Sequence, residues 1–247
     1  MSEVTLKPEV VLPQIEKWIL KKIDSASAKG CVVGSSGGID SAVISCILKR
    51  ICNDQMLAVM MPCHSIERDL EDARLLNRKF SIPNITIDLS KTYDAIISAA
   101  KANSSTLTSR ALSNVKPRLR MTTLYMMAQS NDFLVCGTSN LAEIKLGYFT
   151  KYGDSGSDII PLGDLLKCEV RALAKYLEIP EEIISKPPSA GLWEGQTDES
   201  EMGLTYDEID SYLSGKIVKK ESMKKINRRI EISEHKREMP QVCSLRD

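Results

Sequence analysis

Gly34-Ser35-Ser36-Gly37-Gly38-Ile39-Asp40-Ser41 follows directly on the apolar run Cys31-Val32-Val33 and leads into a stretch with a helical pattern. Glycines let successive backbone N–H groups wrap an anion and a helix start adds positive potential, so strand, loop and helix together read as a phosphate site. It is not a Walker A loop, because counting from Gly34 the second Gly position holds Ile39 and the Lys position holds Asp40. Nor is it G-x-G-x-x-G, since Gly37 and Gly38 are adjacent. A carboxylate in a phosphate loop repels its ligand unless a cation intervenes, so Asp40 points to Mg²⁺ between carboxylate and phosphates. The plainer reading is a glycine turn with Asp40 favouring the helix dipole. The flanking strand and helix weigh against that reading.

Outward from this loop, short apolar runs recur at Met56 to Met61, Ile85-Thr86-Ile87 and Phe133-Leu134-Val135-Cys136, separated by helical patterns. Strands alternating with helices predict an α/β fold, a parallel sheet of about five strands with helices on both faces. The runs end in small or polar residues, namely the loop itself, Pro62-Cys63-His64-Ser65, Asp88 and Gly137-Thr138-Ser139-Asn140. Ligands bind beyond the carboxyl ends of such strands, so these ends converge on one crevice. Val10, Val11, Ile15, Trp18, Ile19 and Ile23 predict an opening amphipathic helix. Further helices are expected over Leu107 to Gln129, started, kinked or broken at Pro117, and over Leu165 to Leu177, Tyr206 to Leu213 and Ser222 to Lys236. Residues 192–204, rich in turn formers and acids, are expected to form a mobile active-site loop.

A chain of 247 residues, 43% hydrophobic, can bury one sizeable core, and 1–247 is read as a single domain. Lys+Arg and Asp+Glu both total 33, which gives no reason to expect nucleic-acid binding or attraction to acidic membranes. No apolar run approaches the roughly 20 residues of a membrane span, and seven cysteines without C-x-x-C spacing favour reduced thiols. The expected setting is the cytoplasm.

Ser36-Gly37-Gly38-Ile39-Asp40-Ser41 resembles the pyrophosphate loop of the N-type ATP pyrophosphatases, which cleave ATP between the α- and β-phosphates. The wider series is similar to NAD synthetases: Asn114 to Met121, Gly137 to Glu143, Gly147 to Asp154, Pro161-Leu162, Lys167, Pro188 to Trp193, Asp198-Glu199, Glu201-Met202-Gly203 and Glu234 to Arg237. One departure is Ser139-Asn140, where many members carry Asp-His.

The resemblance implies ATP-dependent amidation of deamido-NAD⁺ by ammonia through an adenylated intermediate, with AMP and pyrophosphate released. It makes Asp40 and Glu143 the Mg²⁺ ligands, and it assigns ATP to Gly34 through Ser41 with Thr138, Lys167 and Ser189. Deamido-NAD⁺ falls to Arg118, Lys151, Asp158, His235 and Lys236. Outside this pattern Glu143 reads as a solvated helix residue, Lys167 as a surface lysine, Ser189 as a loop serine and His235 as a helix histidine. Arg120 reads as a structural ion-pair partner.

No covalent nucleophile is required, and the neighbours Cys63 and His64 have no spacing that itself creates a catalytic pair. The resemblance also implies a homodimer, whose two-fold face would use Leu119, Leu124 and Met127. It leaves no room in the chain for a glutaminase domain, so free ammonia is the expected nitrogen source, with a separate glutaminase as a cellular supplier. The alternatives are another amidating or sulfur-inserting synthetase with the same loop, and a regulatory domain that holds ATP without turning it over.

Overall fold

The computed structural model describes residues 6–103, 106–189, 195 and 197–245. Four strands, β1 (Gly30–Gly34), β2 (Met56–Met60), β3 (Asn84–Thr86) and β4 (Phe133–Cys136), form a parallel sheet in the order β3-β2-β1-β4. About five strands were expected. The place beyond β4 holds a single parallel bridge, between Cys136 and Ile159. Cys31, Val32 and Val33 are buried because helices cover both faces, which is why this strand reads as a continuous apolar run and not as an alternation.

The strand order fixes the crevice. From β1 the chain steps outward to β2 and β3, then returns to the other side of β1 as β4. The reversal lies between β1 and β4, so the loop after β1 and Gly137-Thr138 after β4 flank the position where open α/β sheets bind ligands.

One face packs the helices Pro8–Ser25, Ile39–Cys52 and Lys167–Tyr176 on the sheet through Ile19, Ile44, Ile47, Val170 and Leu173. The other face is covered by Val115–Asn131, where Leu119, Leu124, Tyr125 and Met127 pack with Val32, Val59 and Val135. Leu119, Leu124 and Met127 are thus partly buried against this core. The exposed residues of this helix include Thr122, Met126 and Gln129. Pro117 falls in the helix's first turn, where a missing N–H costs little, so it marks a start and not a kink.

A third cluster, Ala142, Leu146, Met202, Leu204, Tyr206, Ile209 and Ile226, joins the C-terminal helices to one another beside the crevice. The helix expected over Ser222 to Lys236 is Lys220–Ile232, then a break at Ser233 and a turn Glu234–Arg237. Gly147 packs against the break: at φ 61° its backbone approaches so closely that a Cβ would lie 2.2 Å from that of Ser233.

Within the expected 192–204 loop, residues 192–194 and 196 lie outside the described residues, and Asp198–Met202 form a short helix. Among the described residues no helix is long and apolar enough to cross a membrane. The thiols of Cys31, Cys46, Cys63 and Cys136 are buried, those of Cys52 and Cys168 partly covered, and that of Cys243 exposed.

Candidate active site

The loop after β1 is held by its own serines. Ser35 N donates to Val59 O (2.9 Å), Ser41 Oγ donates to Gly38 O (2.9 Å), and the hydroxyls of Ser36 and Ser41 lie 3.0 Å apart. Gly37 turns the chain at φ 76°, and a Cβ there would sit 2.1 Å from Asp69 O, so neither the angle nor the space admits a side chain. Asp69 in turn shares Lys186 with Asp72, at 2.5 and 2.6 Å. That clamp fixes Pro187-Pro188-Ser189 beside the loop, and Asp198 N donates to Pro188 O (2.9 Å).

Across the crevice, Asp40 begins the Ile39–Cys52 helix and Glu143 lies in the first turn of Leu141–Leu146. Asn140 caps that second helix: its Oδ1 accepts from Glu143 N (3.1 Å), and Glu143 Oε2 accepts from Asn140 N (3.3 Å). Its other amide atom, Nδ2, donates to Asp40 Oδ1 (3.0 Å), so the Asn that departs from the family pattern ties the two carboxylates together.

Lys167 completes the group. Its ammonium is 2.5 Å from Asp40 Oδ2, 3.8 Å from Glu143 Oε1 and 5.0 Å from the ring centroid of Tyr206, and the residue is 1% exposed. Burial opposes that charge, but Asp40 and Glu143 outweigh it and raise the pKa of Lys167.

Asp198, also buried, is the third carboxylate of the group. Tyr206 OH donates to its Oδ2 (3.0 Å), and Tyr148 OH lies 3.1 Å from its Oδ1. Burial raises the Asp198 pKa, and burial with Asp40 pushes the Glu143 carboxyl up to about 8. Three carboxylates, Asp198 buried and Asp40 and Glu143 partly buried, face one lysine and leave surplus negative charge.

Among the described residues no three or more His, Cys, Asp or Glu side chains are grouped to share a metal. The Asp40–Glu143 pair nevertheless fits Mg²⁺, which takes hard oxygen donors and is commonly held by one or two carboxylates plus substrate phosphates and water.

A cavity of about 1410 Å³ runs from this group to the C-terminal helices. Thr138 and Ser189 line it beside the loop, and Arg118, Lys151, His235 and Lys236 line the far wall. Arg118 donates to Asn114 O (3.3 Å) and Lys151 O (3.2 Å), Lys236 to Gly147 O and Phe149 O (2.8 Å each), and Lys151 to His235 O. These hydrogen-bond partners are neutral carbonyls that orient the cations without cancelling them. Burial lowers the Lys236 pKa, with Arg110 and Arg229 adding to the effect.

Asp158 is placed differently. Its carboxylate accepts from Val135 N (2.7 Å) and Tyr125 OH (3.0 Å), which joins it to the back of β4. Arg120, partly buried, donates to Met61 O (3.1 Å) and Ser65 Oγ (3.2 Å), and among the described residues it has no ion-pair partner within 4 Å. Cys63 and His64 make no catalytic pair: His64 Nε2 lies 2.8 Å from Asp94 Oδ1, while burial raises the Cys63 thiol.

Sequence reading gave no role to Asn140, Tyr206 or Asp210, nor to Lys186, Asp198, Lys225, Arg228 and Arg229, the last five of which line the cavity. The last three had a visible signal, since with Ile232 they form a stripe at helical spacing. Asp210 had one too, as an acid on the same helical face as Tyr206, Ile209 and Leu213.

A family model described as NAD synthase matches residues 11–240. The NH(3)-dependent NAD(+) synthetase of Finegoldia magna is 48% identical over 223 residues, which is 90% of this chain and 91% of that protein. Among solved structures, NMN synthetase from Francisella tularensis superposes with a TM-score of 0.92 at 37% identity, covering 96% of this chain and 98% of the other. The NH3-dependent NAD synthetase from Campylobacter jejuni does so with a TM-score of 0.81 at 30% identity, covering 97% and 100%.

Proposed function

We infer, because this chain belongs to the NAD synthase family, that it is an ammonia-dependent NAD⁺ synthetase, a ligase forming a C–N bond. The observation that carries the reading is the meeting of Asp40, Glu143 and Lys167 at the mouth of the loop, in the same cavity as Arg118, Lys151 and Lys236.

The nicotinate carboxylate of deamido-NAD⁺ attacks the α-phosphorus of ATP, the bond to the β-phosphate oxygen breaks, and pyrophosphate leaves. Ammonia then attacks the acyl carbon of the adenylated intermediate and AMP departs with its oxygen, leaving the amide. The backbone of Ser35 to Gly38 and the ammonium of Lys167 hold the leaving pyrophosphate, while Thr138 and Ser189 border the nucleotide. Arg118, Lys151, His235 and Lys236 take the dinucleotide, and Asp158 supports that wall through β4. Asp40 and Glu143 would hold Mg²⁺, which supplies charge neutralisation on the phosphates. The chain's contribution is alignment and preorganised charge, with no protein nucleophile.

The purified chain given deamido-NAD⁺, Mg²⁺, ATP and ammonium should form NAD⁺ and AMP in equal amounts, read by mass detection. Absence of both products overturns the reading. Glutamine free of ammonia should support little NAD⁺ formation by the chain alone, and comparable formation from glutamine refutes ammonia dependence.

A second reading is favoured by the close superposition on an NMN synthetase: the same amidation acting on nicotinate mononucleotide. A larger kcat/KM for the mononucleotide than for deamido-NAD⁺ selects it.

Arg118→Ala should weaken deamido-NAD⁺ by about 2 kcal/mol or more and ATP by much less, since losing a charged contact to a bound anion commonly costs that much. Titrations with equal losses for both ligands refute the assignment.

The homodimer belongs to the same reading, with Thr122, Met126 and Gln129 on an exposed helix face available to a second copy. Light scattering should give twice the 27.4 kDa chain mass. Active monomer over a broad concentration range overturns it.

A further inference from the structure

We propose that Asp210 is a positioning residue for Lys167, setting the direction of its ammonium from outside the cavity. Asp210 is 1% exposed on the Tyr206–Leu213 helix, and both its oxygens meet the start of the Lys167–Tyr176 helix. Oδ1 accepts from Lys167 N (3.1 Å) and Oδ2 from Cys168 N (2.8 Å). The carboxylate thus satisfies two N–H groups that a helix start leaves without intrahelical partners, and its charge sits at the positive end of the helix dipole.

The contact is specific because of what those N–H groups belong to. One is the backbone of Lys167 itself, whose ammonium, at the other end of a four-carbon stem, lies 2.5 Å from Asp40 and 3.8 Å from Glu143. The same helix places the ring of Tyr206 below that ammonium, 5.0 Å from centroid to nitrogen, and Tyr206 OH on Asp198. One helix therefore grips Lys167 at both ends, by a carboxylate on its backbone and by a ring beneath its charge. Tilting the backbone at Lys167 moves the ammonium by an amount that grows with the length of the stem, and roughly 1 Å of misplacement can cost about 10²-fold in rate. Asp210 is not among the residues lining the cavity, so it can act on the reaction only through its neighbours.

The proposal rests on the phosphate role given to Lys167. Its test is a double-mutant cycle over the full chain, with the parent, Asp210→Asn, Lys167→Met and the double variant. Steady-state kinetics give kcat and KM for ATP and deamido-NAD⁺, and thermal unfolding gives the midpoint.

In the parent background Asp210→Asn should lower kcat by about tenfold or more with KM for deamido-NAD⁺ near parental. In the Lys167→Met background the same change should lower the remaining kcat by less than about twofold, while the midpoint falls by a similar amount in both backgrounds. Equal fold losses of kcat in the two backgrounds, or an unaltered kcat in the first, overturn the proposal. Parental turnover in Lys167→Met refutes the phosphate role itself, and the proposal with it, which is a different result from additive losses. If Asp210→Asn is recovered unfolded, Asp210→Ser, which keeps one acceptor oxygen, replaces it in the cycle with the same expectations.

Discussion

Asp40→Asn is expected to lower turnover by about 10²-fold or more while the chain stays folded. The carboxylate is one of two oxygen donors proposed for Mg²⁺, and the amide keeps its size while removing its charge. It also disturbs the protein partners: Asp40 accepts from Asn140 Nδ2 on one oxygen and from Lys167 Nζ on the other, and an amide can accept on only one. One donor then faces another, at about 1–3 kcal/mol of stability.

Glu143→Gln should match the kinetic loss without that structural cost. Glu143 Oε1 is 3.8 Å from Lys167, and the contact to Asn140 N needs only a carbonyl oxygen. The two variants therefore separate turnover from stability. The Glu143 carboxyl, raised from 4.5 to about 8, binds its proton more tightly folded than unfolded. Metal-free parent should accordingly lose stability as pH rises from about 4.5 through 8, and Glu143→Gln should flatten that slope. Near-parental turnover of both variants at limiting Mg²⁺ would sink the assignment of the pair.

Lys167→Met should show effects of opposite sign. Turnover falls by about 10²–10³-fold, since a preorganised cation at the leaving phosphates is lost. Metal-free stability falls as well, because removing one partner of a buried pair leaves a charge uncompensated, at about 3–5 kcal/mol. Binding of Mn²⁺ alone should nevertheless tighten, by about tenfold or more, because the ammonium is a like charge within 4 Å of both proposed ligand oxygens. Saturating Mn²⁺ should then recover part of the lost stability. Mn²⁺ titration followed by electron paramagnetic resonance decides the matter: weaker binding in the variant would show that Lys167 supports the metal instead of competing with it.

How far the sequence reached depended on how local the cause was. The four strands, the loop after β1 and the Tyr206–Leu213 helix are written in runs of a few residues, and reading recovered them. The break at Ser233 was missed, and it packs against Gly147, far along the chain and in contact only after folding.

In the site, the loop residues and Asp40 were legible from their own chemistry, whereas Glu143, Lys167 and Arg118 needed the family pattern. Lys167 stands 127 positions from Asp40, and no periodicity joins them. Asp158 and Arg120 could be placed by type but not by direction. Only coordinates show that the first faces Val135 and Tyr125 and the second Met61 and Ser65.

The distribution of thiols gives the molecule a practical handle. Burial pushes Cys31, Cys46 and Cys168 up to about 12 and also raises Cys52, Cys63 and Cys136, so at neutral pH they are poor targets for maleimides and similar reagents. Cys243, by contrast, stands in solvent a few residues beyond the turn that carries His235 and Lys236. A fluorophore can therefore be attached at Cys243 of the unaltered chain, a few positions in sequence from His235 and Lys236, which line the wall expected to receive the dinucleotide. Its emission would report substrate arrival in real time without an engineered cysteine.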